Sequence, residues 1–138
     1  MKKSLLFASL AALLGAALAF GYAMDEAELS KHMKAVGKSQ GMLREGMKTA
    51  DMAKVAEGAE GIATHLTGTD EFWTAHKLDD AVKHTQDGIA AAKAVAAAAK
   101  ANDVAAVKTS MQKMGGSCKG CHDAHREKVG ENEYKVKL

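Results

Sequence analysis

Apolar residues recur along most of this chain at alternating steps of three and four, in four separate segments. The first two stripes are Leu29, Met33, Val36, Gln40, Leu43, Met47, and Met52, Val55, Ala59, Ile62, Leu66. The third runs Leu78, Val82, Thr85, Ile89, Ala92, Ala96, Ala99, and the fourth runs Val104, Val107, Met111, Met114, Cys118, Cys121, His125. A repeat of about 3.5 residues is typical of helices that pack lengthwise against one another. The pattern therefore predicts four helices.

Polar residues that favour turns and helix N-termini separate the four stripes. Asp51, the segment Thr67–Asp70 and the pair Asn102–Asp103 lie at the three junctions. The chain contains no proline and is rich in Ala, Lys, Glu and Met, which favours helices, and no strand pattern is visible. Short connections favour antiparallel neighbours. The sequence thus predicts an all-α fold, an antiparallel four-helix bundle formed by residues 24–138.

The first 23 residues have the pattern of a bacterial signal peptide. Two lysines follow the initiating Met, the run Leu5–Phe20 is apolar, and small residues would allow cleavage after Ala19 or Ala23. The alternative is an uncleaved membrane anchor. Because the apolar run is shorter than the roughly 20 residues that a membrane span requires, we predict a cleaved signal peptide at 1–23 and an exported protein.

The charge balance excludes some classes of function. The full chain has 19 basic and 17 acidic residues, a net charge of +2. Cleavage of the signal peptide would remove two lysines and no acid, which brings the net charge to zero. Such a chain has no basic surface for nucleic acid. We therefore expect no nucleic-acid partner. No acid–base pair or nucleophile constellation stands out either, so we do not expect an enzyme.

Both cysteines of the chain lie in the segment Cys118–His122, Cys-Lys-Gly-Cys-His. A Cys-x-x-Cys-His motif is the attachment signature of c-type haem. Thiols three residues apart on a helix share one face and can reach the two vinyl groups of one porphyrin, and His122 can then bind the iron. Since both cysteines continue the fourth apolar stripe, we predict one covalent haem c enclosed by the bundle. Export supports this, because haem is attached outside the bacterial cytoplasm.

Two interpretations without haem use the same residues. Cys118, Cys121, His122 and His125 have the side chains of a structural zinc site. One continuous helix cannot easily surround a tetrahedral ion, which disfavours zinc. A Cys-x-x-Cys dithiol oxidoreductase is disfavoured because the βαβ context of such enzymes is missing.

Glycine is frequent inside the predicted helices, where each residue costs up to about 1 kcal/mol relative to Ala. The positions are Gly37, Gly41, Gly46, Gly58, Gly61, Gly88, Gly115 and Gly116. Close approach of a flat ligand to the backbone would explain some of them. The alternative is that individual glycines are merely tolerated.

Three separated segments resemble the class II c-type cytochromes, which include cytochrome c′ and its low-spin c-556-type relatives. Met111–Lys128 is similar to their haem segment, with a glycine three residues before the first cysteine and a basic residue, Arg126, four after the histidine. Met33–Gly37 resembles the first-helix segment of the low-spin branch, and Trp73 lies where that branch commonly has Trp. The resemblance spans the predicted mature chain and implies a four-helix bundle with the haem on its last helix.

The chain also departs from the family pattern at three places. His125 stands where an aromatic residue, often Phe, is usual, and the connection between the second and third helices is shorter than in many relatives. Leu29 stands where cytochrome c′ has an arginine in the first helix. The missing arginine argues against a strict cytochrome c′ more than against a low-spin relative.

The resemblance implies His122 as the proximal iron ligand and Met33 as the sixth ligand. A thioether ligand favours Fe(II) and a low-spin iron suited to one-electron transfer. In cytochrome c′ the corresponding side chain is only apolar cover, which leaves a five-coordinate iron open to nitric oxide or carbon monoxide. The alternative for Met33 is an ordinary core residue, and His32 is the alternative ligand if the first helix is rotated.

The expected function is therefore a periplasmic one-electron carrier, with the gas-binding cytochrome c′ as the alternative. Arg126 could lie near the proximal imidazole or reach a haem propionate, or it could be a solvated surface charge. The partners we expect are periplasmic or membrane-bound redox proteins. The chain itself would be a monomer or a homodimer.

Overall fold

The computed structural model describes residues 24–138, so the predicted signal peptide lies outside the described residues. The helices are α1 (Glu26–Thr49), α2 (Met52–Thr67), α3 (Asp70–Ala75), α4 (Asp79–Lys100) and α5 (Val104–His125). Two short strands follow, β1 (Arg126–Lys128) and β2 (Tyr134–Val136). Four of the five helices are long, and they form the predicted bundle.

Aspartates cap three of the long helices, and two of them, Asp51 and Asp103, lie at the predicted junctions. The carboxylates of Asp25, Asp51 and Asp103 each accept a hydrogen bond from a backbone N–H three residues further on, at 2.8, 3.0 and 2.9 Å. These bonds satisfy donors that the first helical turn leaves free. Ala50 directly follows α1, and Asn102 lies in the connection between α4 and α5. Both residues have a left-handed backbone conformation, with φ of 56° and 55°.

The helices pack as a series rather than as a closed ring. α1 packs on α2, α2 on α4, and α4 on α5, whereas α1 and α5 make almost no contact with each other. The main apolar cluster lies along the α2–α4 contact and includes Val55, Ile62 and Val95. A second cluster, formed by Leu29, Phe72, Trp73 and Ala81, lies at one end of the bundle. A gap between α1 and α5 results.

The apolar stripes predict the buried face of α2 well and that of α4 less well. In α2, Val55, Ala59, Ile62 and Leu66 are all buried as expected. In α4, burial extends beyond the predicted stripe to Val95, because this helix packs against both α2 and α5.

The heptad pattern misses the short helix α3 and the C-terminal hairpin. β1 and β2 pair antiparallel, with Arg126 opposite Val136 and Lys128 opposite Tyr134. The bundle is as predicted, and this hairpin is an addition that the sequence pattern does not predict. β1 is exposed at all three positions. Since none of its side chains is buried, its sequence does not show the alternation of apolar and polar residues that predicts a strand.

Within residues 24–138, no helix combines the length and the apolarity needed to cross a membrane.

Candidate haem site

A cavity of about 650 Å³ opens between α1 and α5, where these two helices fail to meet. Its volume lies within the usual range for a cofactor pocket. Four parts of the chain line it: α1, Trp73 of α3, the end of α5, and the C-terminal hairpin. The side chains that matter chemically are Met33, Trp73, Cys121, His122, His125 and Arg126.

The structure brings together four of the five residues predicted for the haem site. Met33 from α1 lines the same cavity as Cys121, His122 and Arg126. Cys118, one turn earlier in α5, packs instead against the main apolar cluster. Both cysteines are half-buried and free. The motif thus lies along the border between the cavity and the core, which agrees with its place on the fourth apolar stripe.

The two thiols are held in their protonated form. Burial raises the pKa of Cys118. Burial also raises the pKa of Cys121, to about 11, with further contributions from the negative charges of Asp80 and of Cys118. Redox-active dithiols and zinc ligands require accessible thiolate instead. Addition of an S–H group across a vinyl double bond needs no permanent thiolate, so these cysteines fit thioether formation better.

His122 is held in the neutral form that binds iron. Burial lowers its pKa, and the positive charge of Arg126 lowers it further, whereas Asp123 acts in the opposite direction. Metal coordination uses the lone pair of a neutral imidazole nitrogen. The surroundings of His122 therefore favour a ligand role over an ion-pair role.

Trp73 provides a test of whether the cavity fits a haem. The residue is 4% exposed and lines the cavity, yet its indole N–H has no acceptor among residues 24–138. A buried N–H without a partner is costly. Haem carries two propionates, which are strong acceptors. A mainly apolar cavity with the Cys121 thiol in its lining, a neutral imidazole and an unpaired donor fits this group.

His125 joins three elements at the edge of the cavity, which sequence reasoning did not anticipate. Its ring is 11% exposed, and Nε2 donates to Oδ2 of Asp80 in α4 at 2.8 Å. Nδ1 lies 3.2 Å from the backbone carbonyl oxygen of Lys137, just after β2. Both partners are acceptors, so both bonds form together only when the ring is protonated. The position predicted to replace an aromatic residue is thus a polar junction.

The other predicted alternatives find no support in the geometry. His32 packs against His65, with ring centroids 5.7 Å apart, and does not line the cavity. Among residues 24–138, no three side chains of His, Cys, Asp or Glu are placed to hold a metal ion, which disfavours the zinc site. A second cavity of about 610 Å³, between α4 and α5, contains neither cysteine nor His122.

Comparison with known proteins identifies the family of the chain. The family model described as Cytochrome C' matches residues 64–126, which include α4, α5 and the haem motif. A protein from Pararhodospirillum photometricum named cytochrome c′ is 37% identical over 103 residues, which is 73% of this chain and 72% of that relative. The chain belongs to the cytochrome c′ family. As a class II c-type cytochrome, it carries one covalently attached haem c in a four-helix bundle. No solved structure matches the chain significantly.

Proposed function

We propose that this cytochrome holds its iron through His122 and leaves the opposite side open to a diatomic gas, nitric oxide or carbon monoxide. Membership of the cytochrome c′ family carries this proposal, because the 37% identical relative is itself named cytochrome c′. It replaces the low-spin electron carrier as the preferred function. The haem supplies an iron that changes oxidation state and binds small ligands.

The packing of Met33 supports an apolar cover rather than a ligand. Its side chain is half-buried and contacts both apolar clusters of the bundle. Such contacts hold a methionine in place without any bond to iron. In this arrangement Met33 would limit the space beside a haem held by His122 and so control how easily a gas reaches it.

Low-spin electron transfer remains the second candidate, and one observation favours it. Met33 lines the same cavity as His122, from the helix on the other side of the gap. A haem bonded to His122 would therefore lie near this thioether. Ligation by His122 and Met33 would fill both axial positions and suit one-electron exchange with periplasmic or membrane-bound redox proteins.

Spectra and carbon monoxide binding of the holoprotein separate the two functions. We expect a high-spin ferric spectrum and rapid binding of carbon monoxide after reduction. Met33→Ala should leave the spin state unchanged and speed up gas binding, because the cover is removed. Met47→Ala, which alters another half-buried methionine of α1 outside the cavity, should change neither property. A low-spin wild type that becomes high-spin in Met33→Ala would establish the electron carrier instead.

We further propose that the protein is exported to the periplasm and loses residues 1–23. The Lys2–Lys3 pair, the apolar run Leu5–Phe20 and the covalent haem, which is attached outside the bacterial cytoplasm, support this. The mass of the purified holoprotein tests it. Loss of residues 1–19 or 1–23 together with gain of one haem is expected, and a retained N-terminus would contradict cleavage.

A further inference from the structure

The C-terminal hairpin forms one wall of the haem cavity. Val129, Tyr134 and Val136 line the cavity beside the end of α5. Val136 also packs against the second apolar cluster, and the backbone N–H of Lys137 donates to the carbonyl of His125 at 2.9 Å. The matched family segment ends at residue 126, so all of the hairpin after Arg126 lies beyond it. This part of the cavity wall is not covered by the family match.

Within the hairpin, the ring of Tyr134 covers the side chain of Arg126. The guanidinium carbon lies 4.4 Å from the ring centroid, which is a cation–π contact. The two residues are diagonal neighbours across the strand pair, since Lys128 is directly opposite Tyr134. The sheet register therefore sets which residue lies over the guanidinium.

Arg126 is also tied to His122. Its backbone N–H donates to the His122 carbonyl in the last turn of α5, and both side chains line the cavity. The guanidinium therefore belongs to the same cavity wall as the His122 imidazole. A positive charge near the iron disfavours Fe(III) relative to Fe(II), because oxidation adds a positive charge to the haem.

We propose that Tyr134 is a positioning residue for the haem iron, whose ring holds the Arg126 guanidinium beside His122 and thereby raises the reduction potential. Arg126 is itself exposed, so without the aromatic face its side chain is free to turn away from His122, where water screens its charge more fully. The inference rests on His122 as an iron ligand, which is part of the proposed function. It does not depend on whether Met33 also binds iron.

Spectroelectrochemical titration of the holoprotein tests this role. Tyr134→Ala is expected to lower the midpoint potential and to reproduce most of the shift caused by Arg126→Gln. The double variant should show no further shift beyond Arg126→Gln alone, because both changes remove the same interaction. Tyr134→Phe keeps the aromatic ring and should retain the wild-type potential.

Two further variants separate the cation–π contact from simple packing. Tyr134→Leu keeps an apolar side chain without the aromatic face and is expected to behave like Tyr134→Ala. Leu138→Ala removes a side chain of the same segment that is 69% exposed and outside the cavity, and it should have no effect. An unchanged potential in Tyr134→Ala, or a Tyr134→Leu variant that matches Tyr134→Phe, would overturn the proposal.

The proposed function fails separately from this inference. If the wild-type spectra lack a histidine ligand, the assignment of His122 is wrong and the proposal fails with it. If His122 is bound but a shift from Tyr134→Ala persists in the Arg126→Gln background, only the role of Tyr134 is wrong.

Discussion

Gly58 lies where α2 crosses α1, with no room for a side chain. A Cβ atom there would stand 2.7 Å from both the Leu43 backbone N and the Ser39 carbonyl oxygen. Backbone atoms cannot move aside as a flexible side chain can, so the two helices would have to separate. We expect Gly58→Ala to destabilise the protein by about 2–3 kcal/mol. Chemical denaturation of the holoprotein measures this.

Gly41 in α1 is the matched control, because a Cβ there would meet nothing within 4 Å. Gly41→Ala should instead stabilise by up to about 1 kcal/mol, through the higher helix propensity of alanine. Equal effects of the two substitutions would show that the α1–α2 contact is looser than described.

Glycines illustrate how far the sequence predicts single residues. Close approach of a flat ligand was one interpretation of the helical glycines, and Gly37 does line the haem cavity. Gly46 and Gly58, however, lie against backbone atoms at the α1–α2 contact and its connection. A helical glycine has the same local signature in both settings, so the partner becomes evident only once the helices are placed. Cys118 to His122 differ, because their spacing itself defines their chemistry.

At the level of elements, the α1–α2 connection contains Ala50, whose backbone conformation is unfavourable for alanine, next to Asp51, a favourable N-cap. Ala50 has a φ of 56°, a left-handed conformation that glycine adopts without the steric penalty of a Cβ. Ala50→Gly should therefore stabilise the protein by about 1 kcal/mol. The adjacent Asp51→Ala removes the N-cap of α2 and should destabilise by about 1 kcal/mol. Thermal unfolding of both variants tests the opposite signs, and two shifts in one direction would contradict this geometry.

The junction between α4, α5 and the hairpin should respond to acid. A hydrogen bond from His125 lowers the pKa of Asp80 below its ordinary value of 3.8. The carboxylate therefore stabilises the folded state fully above pH 3.8, and this contribution is lost as the pH falls through the lower folded-state pKa. Asp80→Asn should be less stable than the wild type at neutral pH, and the difference should disappear in strong acid. Denaturation at a series of pH values measures it.

Asp79 provides the control for this pH dependence. It lies next to Asp80 in the first turn of α4, and its side chain makes no hydrogen bond or ion pair within residues 24–138. Asp79→Asn should keep the acid response of the wild type. If both variants lost that response equally, the cause would be charge near the start of α4 rather than the bond to His125.

The helices and strands differ in how well the local sequence predicts them. The caps Asp51 and Asp103 mark helix starts because a carboxylate accepts from the free N–H groups of a first turn. The hairpin has no comparable local signal, since β1 is charged and exposed. Its position depends on Val136 packing into a cluster that residues from α1, α3 and α4 complete. Contacts between distant segments place it, and periodicity does not describe such contacts.

Across the whole molecule, burial is concentrated in the middle of the helix series. α2 and α4 bury seven and eight residues, whereas α1 and α5 bury three and two. The sparsely buried faces of α1 and α5 border the haem cavity, where Met33 and Cys121 are only half-buried. A haem in this cavity would supply the apolar contact that these helices do not give each other. A heptad pattern predicts four helices equally well, but it does not reveal which two remain apart.

Removal of the haem should accordingly weaken the two outer helices first. In a Cys118→Ser/Cys121→Ser variant, which cannot form thioethers, we expect hydrogen exchange to accelerate strongly in α1 and α5. α2 and α4 should keep more of their protection, because the buried residues of the main apolar cluster lie along their own contact and do not line the haem cavity. Hydrogen exchange followed by mass spectrometry, on peptides from each helix of holoprotein and variant, gives the comparison.

Two results of the hydrogen-exchange experiment would contradict this prediction. Equal loss of protection in all four long helices would mean that the α2–α4 contact cannot persist alone, and that the bundle folds as one cooperative unit around its haem. Unchanged protection in α1 and α5 would mean that these helices close over the cavity when the haem is missing. Uneven protection alone agrees with the distribution of buried residues, because local stability follows the number of apolar contacts that each element makes.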